Sequence, residues 1–293
     1  MQETFETLRN YLFAIAYRML GSVMEAEDMV QEAWLRWDRS DQSAVQSPKA
    51  FLAKTITRLC LDQLKSAQTK REHYVGEWLP EPILTTSSSN LADWAEPEQV
   101  VELADSLSIA FLHMLERLNP AERAVFLLRE VFDYDYPAIA EIVDKNEAAC
   151  RQLLRRAKTN VADNRPKFDT TLAEHEQILA SFASACFSGS MDDLLTILAD
   201  GVTSYSDGGG IRKAALKPII GAKQVARFML GLVKQVPAGA VPSFDWLNGQ
   251  PAIIILIDGE PYAALSFHIE NGKIMQIYNQ FNPHKLKQVA SKK

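Results

Sequence analysis

The amino-acid sequence predicts a multidomain protein, with two all-α domains followed by a cone-shaped α+β domain. Apolar residues recur at helical spacing in residues 1–72 and again in residues 105–165. Residues 73–104 are rich in proline and serine and therefore predict a linker between these two parts. Residues 170–293 place helical patterns first and strand-like runs after them, which indicates a curled antiparallel sheet covered by helices.

Composition narrows the class of protein. With 293 residues, 47% hydrophobic and 23% charged, the chain matches soluble globular proteins of two or three domains. A net charge of -6 excludes a protein that coats nucleic acid by charge alone, so DNA binding must be local or depend on a partner. Cys60, Cys150 and Cys186 lack metal-ligand spacing, which predicts buried thiols in a reducing cytosol.

No targeting signal is predicted. The N-terminal residues have no basic region followed by an apolar run, so we expect no signal peptide. Since no uncharged apolar stretch reaches the length of a membrane span, we also expect no membrane contact. We therefore expect a cytoplasmic protein that is monomeric when free, and the sequence holds no cofactor or metal motif.

The first domain begins with two helices. An apolar stripe on the first is formed by Leu8, Leu12, Ile15, Ala16 and Met19. Gly21 ends that helix, and Ser22 with Glu25 predicts a capping box at the start of the second. The buried stripe of the second helix is predicted to be Ala26, Val30, Ala33, Trp34 and Trp37.

The opposite face of this second helix carries Asp28, Gln31, Glu32 and Leu35. A polar face is normally just solvated, but acidic and amide groups beside an exposed leucine also suit a partner helix. A polar loop follows, and Pro48 opens a long third helix. The polar face of that helix and the residues after it carry Lys54, Arg58, Asp62, Lys65, Lys70 and Arg71. The aromatic residues Trp37 and Phe51 lie on apolar stripes, so we expect burial of both.

Residues 135–158 predict a helix-turn-helix. Pro137 suits a first helical position, and Asn146 suits the N-cap of the next helix. Asp144 stands at the turn position that favours glycine. The second helix turns Cys150, Leu153, Leu154 and Ala157 inward and leaves Arg151, Gln152, Arg155, Arg156 and Lys158 outside. Such a basic helix can enter a major groove, and the alternative is a hairpin with a solvated charged face.

The two helical parts resemble regions 2 and 4 of bacterial sigma-70-type factors, closest to the extracytoplasmic-function (ECF) class. The resemblance rests on AYRMLGSVMEAEDMVQEAWLRW (residues 16–37), the helix after Ser47, and residues 115–158. It implies that the patch Asp28, Gln31, Glu32 and Leu35 docks on core RNA polymerase. It also implies that residues 39–47 capture a flipped base of the −10 element, while the cations of the third helix follow the opened strand.

For region 4 the resemblance implies contacts with the −35 promoter element. The residues concerned are Asn146, Arg151, Gln152, Arg155, Arg156 and Lys158. Of these, Arg151, Gln152 and Arg155 suit base edges best, because bidentate side chains discriminate between bases in the major groove.

The linker contains an unusual apolar segment, GEWLPEP. It contains the apolar pair Trp78 and Leu79, followed by Pro80, Glu81 and Pro82, and the two prolines restrict the conformation of this pair. An exposed pair of this kind is costly in a mere spacer. The segment therefore predicts either an extended piece that docks into a groove or a local anchor against its own domain.

The third domain predicts two helices, a further helix over residues 222–234, and three strands over residues 252–257, 262–269 and 273–281. The Asp258-Gly259 and Asn271-Gly272 pairs predict hairpin turns. This pattern resembles the SnoaL-like members of the nuclear-transport-factor-2-like superfamily, which includes enzymes.

Catalysis in the third domain is one hypothesis. Alternation places Tyr262, Ser266 and His268 on one strand face, and if that face lined the cone, His268 with a carboxylate such as Asp207 could do acid–base chemistry. A lone histidine is more often structural, and we expect no enzyme activity. A pocket that binds a small ligand without turnover is the other hypothesis for this domain.

Three motifs favour regulation. They are the WLPEP linker, the turn Asp207, Gly208, Gly209, Gly210, and the tail Asn282, Pro283, Lys285, Leu286. Together they resemble the ECF group with a C-terminal SnoaL-like domain, in which that domain acts in cis on activity. A basic residue usually follows the glycines directly, whereas here Ile211 precedes Arg212.

The sequence therefore predicts a sigma factor whose partners are core RNA polymerase and promoter DNA and whose third domain controls it. The alternative function is a one-component DNA-binding regulator that senses a small ligand in the third domain, without polymerase contact.

Overall fold

The computed structural model describes residues 2–71, 74–85, 105–162 and 166–289, with side chains in the third helix up to Ser66. The chain forms two compact units. The first unit holds the described parts of residues 1–73 and 105–165 except Ser108–Ala110; the second holds residues 74–85, Ser108–Ala110 and 166–289. Within the described residues, no helix combines the length and apolarity that crossing a membrane requires.

In its described residues, the regular elements of the first unit are all helices. They are α1 (Gln2–Leu20), α2 (Val23–Asp38), a short 3-10 helix (Gln42–Ala44), α3 (Pro48–Arg71), α4 (Ile109–Leu115, whose first two residues belong to the second unit), α5 (Pro120–Glu130), α6 (Tyr136–Val143) and α7 (Glu147–Val161). Ser22 caps α2 by accepting from the Glu25 amide. The reciprocal half of the predicted capping box is not seen, because the Glu25 carboxylate accepts instead from Gln63 of α3 at 2.9 Å.

The predicted apolar stripes pack as the core of this unit. Leu12, Ile15, Ala16 and Met19 of α1 are buried and Leu8 is half-buried, while four of the five stripe residues of α2 are buried. The exception is Trp34, which is half-buried with its ring against Phe5. Trp37 is buried, whereas Phe51 is half-buried beside it with ring centroids 5.6 Å apart.

The helix-turn-helix is formed by α6 and α7. Asp135 caps α6 through the Ala138 amide, and Asn146 caps α7 through the Ala149 amide at 2.8 Å. Asp144 adopts the left-handed conformation with φ +56°, which aspartate tolerates better than most residues. Of the residues predicted to face inward on α7, Leu153 is only half-buried.

In its described residues, the second unit packs three α-helices on a six-stranded sheet, and a short 3-10 helix (Lys287–Val289) follows the last strand. The helices are α8 (Leu172–Ser188), α9 (Met191–Ile197) and α10 (Ala222–Gln235). The strands are β1 (Leu198–Asp207), β2 (Ile219–Ile220), β3 (Ala240–Leu247), β4 (Gln250–Ile257), β5 (Glu260–Glu270) and β6 (Lys273–Gln280), in the spatial order β2-β1-β6-β5-β4-β3. The expectation of an antiparallel sheet is wrong at one pairing, because β1 and β6 run parallel.

Three hairpin turns join the consecutive antiparallel strands β3, β4, β5 and β6. Asp258-Gly259 and Asn271-Gly272 have positive φ at both positions, as a type I′ turn requires, which confirms the two predicted turns. Asn248-Gly249 forms a third turn of the same kind, between β3 and β4. Strand β3 was not predicted, because Pro242 interrupts its apolar strand pattern. Proline is tolerated at this position because β3 is an edge strand.

A buried histidine in this unit makes stability depend on pH. His175 of α8 is 5% exposed, and burial together with the nearby His268 lowers its pKa to about 4. The unfolded chain, with a histidine pKa near 6.5, binds more protons between these values. Stability is therefore complete above pH 6.5 and is lost as the pH falls towards 4, by up to about 3 kcal/mol.

Urea unfolding of the full chain at pH 7 and at pH 5 measures this effect. His175→Leu removes the titrating group. We therefore expect the urea concentration at the unfolding midpoint to decrease less from pH 7 to pH 5 in this variant than in the wild type. An equal loss in both proteins would contradict the assignment to His175.

Candidate functional site: the linker cradle

Strand register places a row of polar residues on one face of the second unit's sheet. Asp207 of β1 lies opposite Gln280 of β6, which in turn lies opposite Ala264 of β5. The next row on the same face carries Tyr205 and Tyr278, because partners across a sheet point to the same side. Linker residues 74–85 lie against this face, which we call the linker cradle, formed by Tyr205, Asp207, Asn248, Tyr278, Asn282 and Lys285.

The Asp207 carboxylate is the centre of the cradle. Its side chain is fully buried, and Oδ1 accepts from the Tyr74 hydroxyl at 2.6 Å and from the Gly209 amide at 3.0 Å. Oδ2 accepts from the Leu79 amide at 3.0 Å and from Lys285 Nζ at 2.7 Å. A buried charge is tolerated only when it is paired and hydrogen-bonded, and both conditions are met here.

Lys285 connects the C-terminal tail to the linker. Its Nζ donates to the Leu79 carbonyl at 2.6 Å in addition to Asp207. The same ammonium lies 4.0 Å from the centroid of the Trp78 ring and 5.0 Å from that of Tyr74, which adds cation–π attraction. One buried cation therefore contacts the linker through a backbone carbonyl and two aromatic rings.

Leu79 supplies the apolar part of the contact. It is 1% exposed and packs with Tyr205 and Tyr278, whose rings stack at 5.4 Å. Ile109 and Ala110, from the beginning of α4, complete the same cluster. Full burial of a leucine side chain contributes about 1.5–3 kcal/mol, so this residue is a main source of the docking energy.

A second anchor holds the end of the linker segment. The backbone N–H of Asn248 donates to the Ile83 carbonyl, and the side-chain Oδ1 of Asn248 accepts from the backbone N–H of Ile83, both at 2.9 Å. The Thr85 amide donates to the Trp246 carbonyl at 2.8 Å, so residues 83–85 extend the sheet at β3. Sequence reasoning missed this anchor, although the Asn248-Gly249 pair was a readable turn signal.

Glycine is required in the turn after β1. A Cβ on Gly208 would lie 2.1 Å from the Arg212 carbonyl oxygen, and one on Gly209 would lie 2.2 Å from Asn282 Nδ2. Gly209 and Gly210 also have positive φ. Arg212 stacks over Tyr262 and donates to its carbonyl. Ile211, which takes the position where a basic residue is more usual, is exposed.

The tail motif closes the cradle. Asn282 donates to the Tyr74 hydroxyl at 2.9 Å and accepts from the His284 amide. Leu286 is buried with Ala252 and Ala264. Pro80, Glu81 and Pro82 are buried and Pro283 is half-buried, so the three motifs singled out in the sequence meet at one site. Of the two linker hypotheses, docking into a groove of the third domain describes the structure.

Asp207 is not the carboxylate partner of His268. On β6, the partners of His268 and Asp207 are Gln276 and Gln280, which lie four residues apart, or about 13 Å. The groups near His268 are Glu270, with Nε2–Oε2 at 3.8 Å, and the Phe168 ring. Burial, the larger effect, lowers the pKa of His268.

The polar strand face does not line the cone. An apolar cavity of about 80 Å³ lies on the other side of β5, with a lining that includes Phe182, Cys186, Met229, Ile253, Leu265 and Phe281. Among the described lining residues, Cys186 and Tyr262 alone carry titratable groups, and burial raises the pKa of the Cys186 thiol to about 12. Tyr262 is thus the one member of the predicted polar face that reaches this cavity.

The predicted polymerase-binding patch lies on the exposed face of α2. Asp28 and Gln31 are exposed, Leu35 is 38% exposed, and Glu32 forms an ion pair with Arg36 at 2.9 Å. Met24 is 64% exposed and precedes Asp28 by one helical turn, so it lies on the same face. Exposed apolar side chains at both ends of an acidic patch suit a protein partner.

The predicted DNA-facing residues of α3 differ in their surroundings. Asp62 and Lys65 are exposed and paired with each other at 3.1 Å, whereas Lys54 and Arg58 contact α6. The side chains of Lys70 and Arg71 lie outside the described part of the chain.

On α7, Arg151, Gln152, Arg155, Arg156 and Lys158 are all exposed. Arg151 pairs with Glu147 at 2.6 Å and lies 4.6 Å from the Tyr136 ring centroid, and Lys158 pairs with Glu130. The Asn146 side chain caps its own helix.

Comparison with known proteins defines the class. The family description "Sigma-70 region 2" matches residues 4–70, and "Sigma-70, region 4" matches residues 108–161. Both matched segments belong largely to the all-helical unit, so the chain is a sigma-70-type protein with an added α+β domain.

Full-length relatives identify the group. ECF RNA polymerase sigma factor SigJ of Mycobacterium tuberculosis is 34% identical over 96% of this chain and 91% of its own length. Probable ECF RNA polymerase sigma factor SigI of the same species is 34% identical over 95% of this chain and 92% of its own. The crystal structure of SigJ matches with a TM-score of 0.77 at 31% identity, covering 98% of this chain and 99% of that one. The chain belongs to the ECF sigma factor family.

Proposed function

We propose that this sigma factor binds core RNA polymerase, directs initiation at promoters with particular −10 and −35 elements, and is controlled in cis by the linker cradle. The observation that carries the control mechanism is the buried Asp207–Lys285 pair, which binds the linker between regions 2 and 4 through Leu79. The factor would act in the cytoplasm, with polymerase and chromosome.

Docking of the linker limits how far regions 2 and 4 can separate. Residues 74–85 are part of the linker that connects the two regions, and an extended residue spans at most about 3.3–3.6 Å. A free twelve-residue segment could extend to at most about 40 Å, whereas docking in the cradle fixes the distance between its ends. Each promoter has its own fixed distance between the −10 and −35 elements. The docked linker would therefore determine at which of these distances regions 2 and 4 can bind both elements at once.

The cradle also holds the beginning of region 4. Ile109 and Ala110 of α4 pack on Leu79 together with Tyr205 and Tyr278. Release of Leu79 would therefore loosen the linker and the first turn of α4 together.

Any small ligand of the third domain would be an apolar one. The cone cavity measures about 80 Å³ and its described lining is almost wholly hydrocarbon, which suits a small nonpolar molecule rather than an ion. A ligand there would act through the sheet that carries the cradle on its opposite face.

Association with purified core RNA polymerase tests the proposed function. We expect the full chain to coelute with core polymerase, and the double variant Asp28→Lys/Glu32→Lys to bind at least tenfold more weakly, because charge reversal places like charges against the partner helix. The affinity is measured by fluorescence anisotropy of the labelled sigma factor.

The control is Glu176→Lys/Asp192→Lys, which makes the same change in net charge at exposed positions of the third domain. It should bind as the wild type does. Absence of polymerase binding by the wild type would reject the sigma-factor function, and equal weakening in both double variants would reject the α2 patch as the contact.

A further inference from the structure

Two cations of α3 are already engaged by the helix-turn-helix. Lys54 Nζ lies 2.9 Å from Glu141 Oε1. Arg58 donates from Nε to the Ile142 carbonyl at 2.9 Å and from Nη2 to the Glu141 carbonyl at 3.0 Å. All four residues belong to the first unit, and the two helices are more than 80 residues apart in sequence.

The chemistry of these contacts resembles that of DNA phosphates. Glu141 and Ile142 lie in the last turn of α6, where carbonyl groups have no partner within the helix and carry the negative end of its dipole. The Glu141 carboxylate adds a full negative charge, and its hydrogen bond from Lys54 lowers its pKa. The end of α6 thus presents to α3 a cluster of anionic oxygen acceptors, which is what a nucleic-acid backbone presents.

The loop implied in base capture faces the same helix. A cavity of about 580 Å³ is lined by Ser40, Asp41 and residues 44–47 of this loop and also by Tyr134, Ala138 and Ile142. An opened DNA strand that entered this loop would have to pass through the space between it and α6. Helix α6 therefore covers both the cations Lys54 and Arg58 and the loop that is implied in base capture.

Two further contacts hold the helices of regions 2 and 4 together. The Tyr11 and Tyr134 hydroxyls lie 2.7 Å apart. Arg123, which is 3% exposed, donates to the Met19 carbonyl at 2.8 Å and pairs with Glu116. The cation contacts are thus part of a packed interface.

We propose that the C-terminal end of α6 is an intramolecular competitor of promoter DNA, forming a clasp with Lys54 and Arg58 that must open before the −10 strand reaches them. This inference rests on the proposed role of these two cations in DNA binding. It differs from the linker control because the clasp lies entirely in the first unit, whereas the cradle lies in the second.

Binding of a fluorescent single-stranded oligo(dT) probe to the full chain tests the clasp. Glu141→Lys places a positive charge against Lys54 and Arg58, so the clasp opens and the cations become available. We expect the probe to bind about three- to tenfold more tightly than to the charge-matched control Glu176→Lys, with a steeper dependence on salt. Fluorescence anisotropy at several salt concentrations gives both quantities.

Adding Arg58→Ala to Glu141→Lys separates the possible results. Loss of the gained affinity in this double variant supports the clasp. Equal affinity of Glu141→Lys and Glu176→Lys, with weaker binding by Arg58→Ala alone, overturns the clasp but leaves the proposed DNA face intact. No effect of Arg58→Ala in either background rejects that DNA face, and the clasp with it.

Discussion

Replacing Asp207 with asparagine will destabilise the second unit by about 3–5 kcal/mol, because it leaves the Lys285 charge buried without its partner. The same change weakens the hydrogen bonds that the carboxylate accepts from Leu79 and Tyr74. Urea unfolding measures the loss, and hydrogen exchange of β1 and β6 amides assigns it to this unit. Protease cleavage within residues 74–85 will report release of the linker.

Two variants make the result specific. Asp200→Asn changes an exposed aspartate of the same strand and should alter stability by less than about 0.5 kcal/mol. Asp207→Asn/Lys285→Met removes both buried charges and should recover much of the loss, since a buried pair can be replaced by apolar groups at little cost. A double variant as unstable as Asp207→Asn alone would show that the buried lysine charge is not the cause.

The double variant Trp78→Ala/Leu79→Ala will undock the linker without unfolding either unit. Truncation of a buried leucine costs about 2–5 kcal/mol, and loss of the Trp78 ring removes its attraction for Lys285. Since the docked linker is proposed to set promoter spacing, transcription by the holoenzyme should become less sensitive to the distance between the −10 and −35 elements. A series of promoters that differ only in spacer length measures this sensitivity.

Val75→Ala is the matched control, because Val75 belongs to the same linker segment but is 55% exposed. It should keep the wild-type spacing optimum. An unchanged optimum in Trp78→Ala/Leu79→Ala, combined with proteolytic evidence that its linker is released, would contradict the control mechanism while leaving polymerase binding untouched.

Most of the helices could be predicted from short-range sequence patterns. Apolar spacing and caps predicted α1 to α3 and the helix-turn-helix, and Asn146 and Ser22 occupy the N-caps that their side chains favour. The strands that follow Asp-Gly and Asn-Gly turns were readable for the same reason. Strand β3 and the parallel pairing of β1 with β6 were not, because a proline at a sheet edge and a crossover pairing leave no short-range signal.

The motifs that form the linker cradle could be predicted from the sequence, but the contacts between them could not. WLPEP, the glycine turn and the Asn-Pro tail could be recognised as motifs, and the structure brings them together around Asp207. The partners of each side chain could not be read, because Lys285 and Asp207 are 78 residues apart and Leu79 and Lys285 are 206 apart. The same limit produced the error over His268, since alternation along one strand does not tell which face will be covered by helices.

Patterns within single helices and short motifs were enough to predict the family, the order of the domains and the residue types proposed to bind polymerase and DNA. Which of those residues are available depends on how distant segments pack. It buried Asp207 against a lysine and a linker, and it placed Lys54 and Arg58 against the end of α6. Burial and long-range pairing arise when distant segments pack, and the charge of a side chain then acts on whichever group packing has placed beside it.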